Sequence, residues 1–91
     1  MNGLDRRLDE HMFTFYRDCR NEVKMSMDLH SSIKSSHEAY AVTLEELDEF
    51  WDEVKRVRHN KELMRLELMH IAAMACRASI DLGIEEECAV K

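Results

Sequence analysis

Four side chains of this 91-residue chain have the types and spacing to do chemistry together: Glu46, Glu49, Glu67 and His70. Glu46 and Glu49 are three residues apart, so on a helix they sit one turn apart on one side. Like charges held that close repel, which leaves two readings, a solvated acidic face or a cation between them. Glu67 and His70 are also three apart, within the largely apolar stretch from Leu63 to Ile80. A carboxylate is rarely buried unless it is paired or coordinates something. Arg65 and Arg77 are the nearby candidates for pairing with Glu67, and a satisfied core histidine is the plain reading of His70. Two helices joined by a short turn and packed antiparallel would bring the four residues face to face. Three carboxylates around one point are hard to hold without a cation. Hard oxygen donors favour Mg²⁺, with Mn²⁺ also accommodated. Mg²⁺ commonly bridges carboxylates to phosphates, so a nucleoside phosphate is the substrate class this pattern points to.

The elements that must position these residues read as three helices. The first covers about residues 4–30, where Leu4, Leu8, Met12, Phe15, Cys19, Val23 and Met27 recur at steps of three and four. Phe13 and Tyr16 widen that stripe, and charged residues from Asp5 to Glu22 take much of the other side. Serines at 31, 32, 35 and 36 mark a break. Ser35 with Glu38 three later has the spacing of a capping box, so a second helix is expected over about 36–58. It carries six carboxylates between Thr43 and Val54, threaded with an apolar stripe of Tyr40, Leu44, Leu47, Trp51 and Val54. Asn60 is a suitable cap for a third helix over about 61–82, with Gly83 as its stop. That helix is apolar nearly all round, which implies burial on most sides. Ala72, Ala73, Ala75 and Ala78 would let a neighbour approach closely.

The chain contains no proline, only two glycines and no alternating β-branched runs, so the fold class is all-α, a bundle of three main helices in a single domain over 1–91. A core this small is marginal alone, and association with a second copy is expected to complete it. A net charge of −6 argues against a duplex nucleic-acid partner, which calls for a basic stripe. No run approaches the roughly 20 apolar residues of a membrane span, and charges at Arg6, Arg7, Asp9 and Glu10 interrupt any secretory leader. Cys19, Cys76 and Cys88 are an odd set without CxxC spacing, which fits a reducing, cytoplasmic setting. Cys76 and Trp51 read most simply as core residues. Seven methionines read as flexible core filler.

The stretch Glu45-Glu46-Leu47-Asp48-Glu49, followed after seventeen residues by Glu67-Leu68-Met69-His70, resembles the MazG-like, all-α nucleoside triphosphate pyrophosphohydrolases. Their signature is ExxE on one helix and ExxD on the next, and the likeness covers about residues 36–82. The resemblance implies a homo-oligomer, a dimer or larger, in which association forms the bundle and the nucleotide pocket. It implies Mg²⁺ held by Glu46, Glu49 and Glu67, and hydrolysis of a nucleoside triphosphate to its monophosphate and pyrophosphate. His70 stands where the family has an aspartate. An auxiliary metal ligand, a group orienting Glu67 and a general base holding a water are all open to it, as is a degenerate copy that binds nucleotide without turnover. His37 and Lys55 are candidate substrate-binding residues; an exposed turn histidine and charge complementarity at a helix end are their plain alternatives. The competing class is a non-catalytic α-helical binding or assembly module whose carboxylates merely pair with Arg65, Arg77 or Lys55.

Overall fold

The computed structural model describes residues 3–84, which form three α-helices and no strand. Helix α1 is Gly3–Leu29, α2 is Ser36–Val54 and α3 is Lys61–Asp81. The helix starts follow the local chemistry. The Ser35 hydroxyl accepts a hydrogen bond from the Glu38 backbone N–H at 3.1 Å. The Asn60 side chain accepts from the N–H groups of Glu62 and Leu63, at 2.8 and 3.1 Å. At the end of α3, Gly83 takes a left-handed φ of 71°. Its N–H reaches the Ile80 carbonyl and that of Ile84 reaches Ser79, which closes the helix in a Schellman arrangement.

Helix α2 ends at Val54, four residues before the expected position. The cause is Glu53, whose buried carboxylate accepts the Asn60 N–H at 2.8 Å and is held by Arg56 at 3.3 Å. That bond folds residues 55–60 back over the helix end.

Helix α3 is the centre of the fold. Both α1 and α2 pack on it, and among the described residues they do not pack on each other. Asp18–Arg65, Glu22–His70 and Ser26–Arg77 climb the two helices together, so α1 runs parallel to α3. Glu46 meets His70 and Glu53 meets Asn60, so α2 runs antiparallel to it. Near the far end of α3, Arg77 is 4% exposed. Its guanidinium binds Asp81 at 3.2 Å, the Ser26 hydroxyl at 2.6 Å and the Ser31 carbonyl. Asp81 also accepts the Ile33 N–H at 2.8 Å. This network, with the buried Ile33 side chain, ties the 30–35 connection down on α3.

The core is thin. Val23, Met69 and Ala73 form its buried centre, with Phe15 and Cys19 against them. The α2 stripe expected inside lies largely outside: Tyr40 is 70% exposed, Leu47 49% and Trp51 55%. The side of α2 that meets α3 instead carries Ala39, Val42, Thr43, Glu46, Phe50 and Glu53, all at least half-buried. This face is turned about 110° around the axis from the apolar stripe. Tyr40, Leu44, Leu47 and Trp51 therefore form an apolar flank left exposed among the described residues. Leu4, Leu8, Met12 and Phe13 extend a similar exposed surface along the first half of α1. Cys76 is exposed, not a core residue, because it lies on a side of α3 that neither neighbour covers. Cys88 lies outside the described residues. No described helix is long and apolar enough to cross a membrane.

Candidate metal centre

His70 lies where α3 is flanked by both neighbours, and carboxylates reach it from all three helices. Its Nδ1 stands 3.8 Å from Glu46 Oε2 on α2 and 3.8 Å from Glu67 Oε2 on α3. Its Nε2 stands 3.7 Å from Glu22 Oε1 on α1. Glu46, Glu67 and His70 each place one donor atom within 4.8 Å of the others, all three side chains being half-buried. These separations are too long for hydrogen bonds. Accordingly, Glu46 Oε2 and Glu67 Oε2 are buried oxygens with no hydrogen-bond partner among the described residues. Buried oxygens without partners are destabilising, and an ion is one way to satisfy them.

The three basic residues that the sequence offers as partners are engaged elsewhere. Arg65 reaches Asp18 on α1 at 3.2 Å, and Arg77 belongs to the Asp81 network. Lys55 pairs with Asp52 at 3.3 Å. The arginine pairing open to Glu67 on sequence grounds is therefore not what the structure makes. The electrostatics follow from that. Burial, and then the charge of Glu49 beside it, push the Glu46 carboxyl up from 4.5 to about 7. Burial and Glu49 likewise raise Glu67, and His70 offsets part of the effect on both. Carboxylates perturbed upward by burial and by one another mark a place where positive charge is wanted.

A tetrahedral divalent ion with bonds of about 2.1 Å spaces its ligands about 3.4 Å apart. The two 3.8 Å separations from Nδ1 exceed that spacing by about 0.4 Å, and all three donor atoms lie within 4.8 Å of one another, so modest side-chain movement would let them share one ion. The residues present fit a cation. Glu49 is exposed at the rim, where it lines one cleft with Glu46 and His70 and a second with Glu67. The first cleft, about 160 Å³, is walled by Glu22, Glu46, Glu49 and His70 over Ala73 and Met74. It adjoins a larger cavity of about 340 Å³, which shares Glu46 and Met74 and adds His30, Ile33, Val42 and Arg77.

The structure thus brings Glu46, Glu49, Glu67 and His70 together. It does not bring in His37 or Lys55. His37 is exposed on the first turn of α2, about 13 Å along the axis from Glu46. Lys55 lies beyond the other end of the helix with Asp52. Sequence reasoning missed Glu22, which sits among the charged residues of α1 and carries no motif. Its one signal is position, one residue before Val23 and three after Cys19, at the edge of the apolar stripe. No protein family, curated protein or solved structure matches the chain.

Proposed function

We propose that the chain is a divalent-cation-dependent nucleoside triphosphate pyrophosphohydrolase of the MazG-like kind, acting as a homo-oligomer. One observation supports this above the others: Glu46 and Glu67, from two helices, present buried, partnerless oxygens to one point beside His70. In this reading Glu46, Glu49 and Glu67 hold the cation, with His70 as the auxiliary group. When bound, Mg²⁺ or Mn²⁺ supplies charge neutralisation for the triphosphate and for the developing transition state. Glu49, open to solvent at the rim, would be the carboxylate of the set nearest to incoming phosphates. The smaller cleft would take the phosphates and the adjoining cavity, lined in part by Val42 and Ile33, would take the nucleoside. A water oxygen would bond to the α-phosphorus, the bond from that phosphorus to the bridging oxygen of the β-phosphate would break so that pyrophosphate leaves, and the water's proton would pass to a carboxylate of the cluster. The exposed flank Tyr40–Leu44–Leu47–Trp51 is the surface that a second copy would cover.

Pyrophosphate release from a panel of common and modified nucleoside triphosphates, with Mg²⁺ or Mn²⁺, tests the reaction. Loss of release in Glu67→Gln is the expected result. Release that survives Glu67→Gln places the activity elsewhere. The same exposed flank favours a second reading, a non-catalytic helical assembly module, and oligomerisation without metal binding or turnover is its signature.

A further inference from the structure

The two ring nitrogens of His70 do not face equivalent surroundings. Nδ1 is directed at the two partnerless oxygens, those of Glu46 and Glu67, whereas Nε2 is directed at Glu22 from α1. A histidine that ligates a metal through one nitrogen keeps its hydrogen on the other. That hydrogen is usually donated to a carboxylate or carbonyl, which fixes the tautomer and the ring plane. We propose that His70 is a metal ligand through Nδ1, that Glu22 is its positioning residue through Nε2–H, and that the resulting Glu46/Glu67/His70 donor set selects a first-row transition ion of the Mn²⁺ or Zn²⁺ type over Mg²⁺. The proposal rests on a cation being bound at this cluster, as in the reading above, and adds the ion class and the role of Glu22.

The chemistry of the donors carries the selectivity. Mg²⁺ prefers oxygen ligands in a near-octahedral shell and keeps several waters. Imidazole nitrogen suits Zn²⁺, Fe²⁺ and their neighbours, and two carboxylates with one imidazole form a mixed set that those ions accept. Glu22 is not needed to reach the ion. It stands 3.7 Å from Nε2, on the far side of the ring from the two oxygens, and on closing to a hydrogen bond its carboxylate would increase the basicity of the nitrogen opposite. It also makes the site dependent on all three helices, because without α1 the ring has no partner at Nε2.

The test uses the full chain with Mn²⁺, Zn²⁺ and Mg²⁺ alone, without nucleotide. Calorimetric titration should show tighter binding of Mn²⁺ and Zn²⁺ than of Mg²⁺. Glu22→Ala should weaken Mn²⁺ binding by about 10- to 100-fold, change Mg²⁺ binding little, and leave helix content unchanged. Glu22→Gln, which retains shape and an acceptor oxygen, should recover part of the loss. Nitrogen-15 spectra of the histidine rings in the Zn²⁺-loaded protein should place the metal on Nδ1 and the hydrogen on Nε2 of His70. Metal on Nε2, unaltered Mn²⁺ affinity in Glu22→Ala, or an equal loss for Mg²⁺ and Mn²⁺ overturns the assignment while leaving a cation site in place. Absence of binding by any of the three ions overturns both this inference and the cation-dependent reading it rests on.

Discussion

Replacing Glu46 by Gln should stabilise the metal-free protein at alkaline pH. The folded chain holds the Glu46 proton up to about pH 7, whereas an unperturbed carboxyl releases it near 4.5. Because the folded value is the higher one, the folded state binds more protons between those limits. Stability therefore falls as pH rises through that window, and the penalty is complete above pH 7. A shift of this size corresponds to about 3 kcal/mol. The Glu46 side chain is one-fifth exposed and shares its electrostatics with Glu49 and Glu67, so about 2 kcal/mol is the working figure. Glutamine has nearly the same shape and no charge to strand. In chelator at pH 8, Glu46→Gln should melt about 10 °C above the parent, and at pH 5 the gap should largely close. Added Mn²⁺ should reverse the order at pH 8, because a ligand that binds only the native form raises its melting temperature. Thermal unfolding followed by circular dichroism at both pH values, with and without Mn²⁺, reads all four conditions. A variant no more stable than the parent at pH 8 in chelator would refute the claim that the cluster carries uncompensated negative charge.

Other perturbations have separate expected outcomes. Arg77→Met removes the cation from a buried pair and leaves Asp81 without its guanidinium; urea unfolding should show a loss of about 3 kcal/mol, and a loss under 1 kcal/mol would mean that water already serves that network. Glu53→Ala strands the Asn60 N–H and loosens the α2–α3 turn, for about 1–2 kcal/mol of stability, with amide exchange faster at Asn60 than at Met69. Leu47→Glu with Trp51→Glu should leave helix content intact and give a monomer by light scattering if that flank is the contact between copies; an unchanged oligomer would place the contact elsewhere, with the exposed start of α1 as the next surface to alter.

The helix starts at Ser36 and Lys61 were legible because caps are local: Ser35 and Asn60 bond to residues two or three positions on. The stop at Gly83 was legible for the same reason. The meeting of Glu46 with Glu67 and His70 followed from an antiparallel pair with a short turn. The facing side of α2 was not legible. Periodicity identifies the apolar flank Tyr40–Leu44–Leu47–Trp51, but it does not say whether the chain's own α3 or another surface covers it. Here the side against α3 is half polar, and Glu46 and Glu53 occupy it. The end of α2 was misplaced because a bond from Glu53 to a backbone group seven residues on leaves no pattern in composition. Glu22 was missed because its place beside His70 depends on how α1 docks, and Arg77 was offered as a partner for Glu67 because its actual partners Ser26 and Ser31 lie 46 or more positions away.

Helices α1 and α2 lean on α3 from two sides without packing on each other, so the groove between them is a seam that backbone packing does not close. Glu22 on one bank of that seam and Glu46 on the other both approach the His70 imidazole, at 3.7 and 3.8 Å, so a cation held there would act as a clasp. Under the proposed cation binding, the opening of the wedge would be coupled to occupancy. A probe distance from α1 to α2, measured between spin labels on the solvent sides of the two helices, would shorten and narrow in spread as the clasp fastens, and would broaden again when a chelator releases it.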